Sequence, residues 1–277
     1  MSYIQSRLTS AMVKNISMML AIIVLQFTTS QAVYAANENT DVNQIAAVTG
    51  DFVYMQEGDG SLLQYSVSKV DYQGTAAWLI AWQCDQLSAS HYLRISDGKP
   101  LYVKRINHAL NRTVEITYSQ DKNTATIYRK QSADELIERK IWNTDLQDLG
   151  ALPQMLIRIV QAAKQGDQSN TDQDNITFSA INYDDGKVYP LIAKKMGYRR
   201  IASANSSVRC AIYDVKLDSW MSSFVAKTRL LIPLQQGSSN FVTYNGPGLD
   251  SVSDAWSLRL VGKSSALAMA ESTTQAQ

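Results

Sequence analysis

The stretch that most constrains this chain is Gly74–Cys84, GTAAWLIAWQC. Read as a strand, it puts Ala76, Trp78, Ile80, Trp82 and Cys84 on one face and Thr75, Ala77, Leu79, Ala81 and Gln83 on the other. Only the end residues Thr75 and Gln83 are polar, so the spacing predicts a strand buried on both faces. Such a strand needs a sheet that curves around it, or a helix lying over it.

The rest of the chain supplies both. Leu63, Tyr65 and Val67 alternate with polar residues, as do Val114, Ile116 and Tyr118, and Ala211, Tyr213, Val215 and Leu217. Each reads as a strand that buries one face. Glu57–Ser61, Asp71–Gly74, Asp97–Pro100, Asp184–Gly186 and Asn245–Gly248 supply the turns, with glycines where a tight hairpin requires positive φ. Glu135–Trp142 fits a strand or a helical turn, and the meander around it favours a strand. Trp256–Val261 is expected to close the sheet.

One segment breaks the two-residue period. Leu152, Met155, Leu156, Ile159, Val160 and Ala163 recur at spacings of three and four, with Pro153 in the first turn and Gly166 past the end. Gln154, Arg158, Gln161 and Lys164 would form the polar face. This helix either covers the core or acts as a movable lid over an apolar cavity. The predicted fold is mainly β: a curved antiparallel sheet or open β-barrel of about a dozen strands, with one amphipathic helix packed over it.

The ends are of another kind. Arg7 and Lys14, the apolar run Ile16–Phe27 and Val33-Tyr34-Ala35 have the layout of a signal peptide cleaved before Ala36. Residues 1–35 are therefore expected to be removed on export to the periplasm of a Gram-negative bacterium. Residues 36–48 would form a flexible leader, 49–262 a single β-rich domain and 263–277 a disordered tail. Twenty-six Lys and Arg, less Arg7 and Lys14, leave 24 basic residues against 25 acidic ones. That balance carries no nucleic-acid footprint. No second long apolar run predicts a transmembrane segment in the mature chain.

Catalytic signatures are missing. His91 and His108 have no second His or Cys at ligand spacing, so no metal site is expected. The Glu57–Ser61 turn lacks the further oxygen ligands of a calcium loop. No nucleophile elbow, phosphate loop or dinucleotide fingerprint occurs, and no cofactor is expected. Cys84 and Cys210 are the only cysteines. In an oxidising compartment they form either a disulfide pinning an early strand to a late one, or two buried thiols.

Gly186–Tyr189, Ser207–Cys210, Leu217–Trp220, Thr228–Pro233 and Phe241–Pro247, with Leu146–Pro153 before the helix, together resemble exported bacterial proteins of the domain-of-unknown-function type DUF 3108. The likeness runs over roughly 49–262. Such proteins resemble the periplasmic lipoprotein carriers, which implies an open barrel with a helical lid sheltering an acyl chain. It implies no enzymatic activity.

Two functions follow as expectations. In the first, the protein binds or carries a lipid or other apolar small molecule, held by Trp78, Ile80 and Trp82 below and Met155, Leu156 and Ile159 above. In the second, it is a non-enzymatic structural or assembly factor of the envelope that contacts another protein. A filled interior beside an exposed apolar patch distinguishes the second from the first.

Overall fold

The computed structural model describes residues 49–119, 123–132, 134–141, 146–164, 175–203, 206–218, 227–235, 240–247 and 255–263. The predicted signal peptide, the leader, Trp142, Trp220 and Gly166 lie outside the described residues.

Among the described residues, the alternating segments form fifteen strands in one sheet, three more than the dozen expected. β1 (Gly50–Gln56), β2 (Leu62–Tyr72), β3 (Thr75–Gln83), β4 (Leu87–Arg94), β5 (Pro100–Asn107), β6 (Arg112–Ser119), β7 (Thr124–Gln131) and β8 (Asp134–Ile141) make one antiparallel meander. The segment expected as a strand from Glu135 is thus a strand as far as Ile141, within β8. After β9 (Leu146–Gln147), a 3-10 turn (Leu149–Ala151) leads into α1 (Leu152–Lys164). A second meander follows: β10 (Asn175–Ile181), β11 (Val188–Ser203), β12 (Ser206–Leu217), β13 (Thr228–Pro233), β14 (Thr243–Gly246) and β15 (Trp256–Lys263). β15 includes Lys263, the first residue of the predicted tail.

Turn chemistry drives the first meander. Gln73 and Gly74 have φ of 53° and 79°, and Asp71 accepts a hydrogen bond from the Gly74 N–H at 2.8 Å. At the next turn but one, Asp97 accepts from the Lys99 N–H at 3.0 Å beside Gly98 at φ 73°. The two meanders join where β15 pairs antiparallel with β1, Leu258 opposite Gln56 and Leu260 opposite Tyr54. Trp256–Val261 therefore ties the sheet together at its middle, and the sheet ends are β8 and β9.

The sheet curls until these ends overlap. Val103, Val114, Ile116, Tyr118, Ala125 and Ile127 of β5–β7 pack on Leu146, Ile181 and Tyr183 at β9–β10. Side chains, not a hydrogen-bond ladder, make this seam. The described residues therefore form an open, barrel-like sheet with one α-helix.

β3 lies at the centre of the larger core. Trp78, Ile80 and Trp82 are buried on its inner face. Its outer face is less covered than the sequence implies: Ala77 is buried, but Leu79 and Ala81 are half-buried. No second layer lies over that face among the described residues. Leu79 is opposite Tyr92 of β4, whose ring packs with those of Tyr72 and Tyr102. Neighbouring side chains on the same face give the partial cover.

Candidate functional site

The six residues expected to line an apolar cavity are brought together. Trp78, Ile80, Trp82 and Leu156 are buried in one cluster, and Met155 and Ile159 are half-buried against it. Aromatic rings and α1 occupy the space between them. Tyr54 stacks on Phe241 with centroids 4.3 Å apart and planes at 12°, and Tyr65 meets Trp82 edge-on at 4.6 Å. Trp82, Tyr54, Tyr65, Phe52 and Phe241 are all fully buried.

α1 is inserted into this core rather than laid over it. Leu152, Leu156, Ile157 and Val160 are buried as a stripe. The predicted polar face needs correction, because Gln154 and Gln161 are buried too. The buried face is turned round the helix to include Gln154 and Gln161, and Met155, Arg158 and Ile159 form the less covered, half-buried face. Gln154 compensates by donating from Nε2 to Tyr65 Oη and Asn240 Oδ1, both at 3.1 Å. The Trp82 indole N–H donates to the Gly150 carbonyl at 2.9 Å and ties β3 to the entry of the helix.

A buried polar cluster fastens that entry from the other side. His91 on β4 donates from Nδ1 to Asp148 Oδ2 at 2.5 Å, and the Tyr183 hydroxyl donates to Asp148 Oδ1. The Gly150 N–H donates to Tyr183 Oη at 2.8 Å. The Arg105 guanidinium lies over the Tyr183 ring, 4.0 Å from its centroid. All four side chains are buried. Burial alone would raise the Asp148 carboxyl; His91, hydrogen bonds from His91 and Tyr183, and Arg105 outweigh it and hold it below its usual range. Burial and then the Asp148 charge push the Tyr183 phenol well up. A Cβ on Gly150 would lie 2.1 Å from His91 Cε1, so the helix entry approaches the imidazole as only glycine allows.

An Asp–His pair is the orienting half of a nucleophile-activating triad. Here it joins the two meanders: His91 belongs to the first, Tyr183 to the second, and Asp148 to the turn between them. The recess beside Arg105, Asn107, Arg112 and Tyr183 measures only about 20 Å3, room for one water and not for a substrate. The sequence reading missed this cluster because its members lie 57 and 35 residues apart, with no local motif.

Room for a ligand lies instead at one mouth of the sheet. Gln56, Asp59, Ser61, Leu63, Gln86, Trp256 and Leu258 line a cleft of about 330 Å3 together with Leu62, Cys84 and Asp85. Those last three residues also line a neighbouring hollow of about 470 Å3, with Gln64, Gln83 and His108. The floor is apolar and the rim polar. His108 Nε2 is 2.8 Å from the Ser88 hydroxyl at this end.

The two cysteines are thiols and not a disulfide. Cys84 packs against the main core and faces the cleft, whereas Cys210 sits with Leu231 and Val242 on the opposite, outer face of β12–β14. Side chains on opposite faces of a sheet cannot meet the geometry of a bridge. Burial pushes the Cys210 thiol up to about 11, which leaves it a poor nucleophile. No group of three or more His, Cys, Asp or Glu side chains suited to a metal ion occurs among the described residues.

No protein-family model matches the chain, and no curated protein matches it. The resemblance to DUF 3108 thus extends no further than a barrel-like sheet. Among solved structures, the chain is similar to a β-barrel-like protein of domain of unknown function DUF1849 from Brucella abortus. The identity is 8%, the match covers 78% of this chain and 98% of that one, and the TM-score is 0.46. No helix among the described residues is long and apolar enough to cross a membrane.

Proposed function

We propose that this is an exported protein of the bacterial envelope that works by non-catalytic contact with another protein, its barrel serving as a rigid scaffold. One observation carries the reading. The interior is filled by aromatic side chains and a helix, while large apolar side chains stand in solvent on β8. Leu136, Ile137 and Ile141 are 47%, 70% and 78% exposed. A stable core does not need them there, and a partner surface does. The signal-peptide layout of residues 1–35 supports a periplasmic address.

A second reading, carriage of a lipid or another apolar small molecule, is favoured by the cleft at the sheet mouth. Its size and its apolar floor with a polar rim suit an amphiphile. The test purifies the protein from its own envelope without detergent and applies native mass spectrometry, organic extraction and chemical crosslinking. A clean protein mass with a reproducible crosslinked partner supports the scaffold. A reproducibly co-purifying small molecule with no protein crosslink overturns it in favour of the carrier.

A further inference from the structure

Among the described residues, β8 ends the sheet with one hydrogen-bonded neighbour, β7. Gln131 lies opposite Asp134, so a two-residue turn closes the hairpin at a hydrogen-bonded pair. From that pair the ladder alternates. Asp134, Leu136, Glu138 and Lys140 bond back to β7, and Glu135, Ile137, Arg139 and Ile141 turn their N–H and C=O groups to the open side. An open edge of this kind is a template for another strand.

Native edges are usually blunted by charge. The charges on β8 do something more selective. Its sequence, DELIERKI, is acidic at the start and basic at the end about a centre at Ile137. Turned antiparallel on itself about Ile137, the strand sets Glu135 opposite Arg139, Asp134 opposite Lys140, Leu136 opposite Glu138 and Ile137 opposite Ile137. Glu135, Ile137 and Arg139 have outward main-chain groups, so each of their pairs exchanges two hydrogen bonds in this register. Sliding one strand by two residues in one direction opposes Glu138 to Glu138. Sliding it in the other direction opposes Asp134 to Glu138. An in-register parallel arrangement opposes every charge to its like. Like charges directly opposite one another destabilise a strand pair, and opposite charges stabilise it.

We infer that β8 pairs with β8 of a second copy of this chain, antiparallel about a two-fold axis at Ile137, joining two barrels edge to edge. The inference rests on the reading of the protein as one that acts by contact, and it names the partner. The pairing is isologous, so it closes at a dimer. It covers Ile137 across the axis while leaving the mouth cleft, on the distant strands β1–β4 and β15, outside the interface. Glu135 is already 2.8 Å from Lys130 of β7, and the second copy's Arg139 adds a cation on its other side.

The test is a charge-reversal cycle on the purified protein, read by sedimentation velocity across a concentration series. Wild type is expected to dimerise. Glu135→Arg and Arg139→Glu each place like charges opposite one another twice per dimer and are expected to weaken it by about ten-fold or more. The double variant restores the pairs and the dimer. Ile137→Pro blocks the outward N–H at the axis and should give monomers whose circular dichroism matches wild type. A monomeric wild type, a dimer indifferent to the single reversals, or a folded double variant that stays monomeric would overturn the inference. A photo-reactive residue in place of Ile137, used in cells, separates the two claims. Capture of a different envelope protein by a monomeric chain sinks the self-pairing and keeps the contact reading. No capture at all by a monomeric chain sinks both.

Discussion

β3 and β8 are strands of nine and eight residues, both carrying large apolar side chains, and they meet opposite fates. Trp78, Ile80 and Trp82 are buried, whereas Leu136, Ile137 and Ile141 are exposed. Part of the difference is in composition, since β3 carries no charge and five of the eight residues of β8 are charged, and part is in position. β3 has a strand on each side and a helix against its inner face. β8 has one neighbour and lies past the seam, where no further layer covers it among the described residues. The sheet buries what sits before the overlap and leaves out what overhangs it. The seam therefore decides the contrast, and it is fastened by the His91–Asp148–Tyr183 cluster.

The comparison breaks most severely at its buried end. Trp82→Ala removes a fully buried indole and strips the Gly150 carbonyl of its donor. It is expected to cost about 3–5 kcal/mol in denaturant unfolding. A change near zero would mean that the interior is not the packed core described.

Asp148→Ala attacks the fastening and leaves His91 and Tyr183 buried without their shared acceptor. About 3 kcal/mol is expected, as for one partner taken from a buried ion pair. The depressed carboxyl gives a pH signature. Its contribution is fully present above the unfolded value near ~4 and is lost as pH falls through the lower folded value. Wild type should therefore lose stability on acidification below about pH 4, and Asp148→Asn should show a flatter profile there. Parallel profiles would remove Asp148 from the account of the seam.

Gly150→Ala tests the close approach itself. Its methyl would overlap the His91 ring, and about 1–3 kcal/mol is expected from a thermal melt. An unchanged melting temperature would show that the imidazole moves aside freely.

The smallest effect on folding belongs to β8. Ile137→Lys, at a largely exposed position, is expected to change stability by less than about 0.5 kcal/mol. The same change should abolish association between copies. A large loss of stability would mean that β8 is covered in the isolated chain and that the contrast with β3 is false.

Much of the local structure was legible. Leu63, Tyr65 and Val67 turn inward as their alternation requires, and so do Val114, Ile116 and Tyr118. The helix spans the segment with the three-and-four spacing. Gln154 was misplaced because a helical wheel assigns the buried face by hydrophobicity alone, whereas hydrogen bonds to Tyr65 and Asn240 let a polar residue turn inward and leave Met155 and Ile159 half-buried. The residues expected around a cavity lie in or against one packed cluster, because β3 and the helix meet. Whether a space remained between them depended on Phe241, Tyr54 and Tyr65, from strands far away in the chain. His91 read as an isolated histidine because its partner Asp148 sits 57 residues on.

The sequence by itself determined the periodicities, the turns and hence a long antiparallel sheet with a single helix, because side-chain alternation and backbone φ preferences act over a few residues. Only the tertiary structure decided where the sheet overlaps itself, that its interior is filled, and that the apolar side chains of β8 are left outside. Those outcomes depend on how far fifteen strands curl together and on side chains that meet across long loops. No short window of residues encodes a sum of that kind.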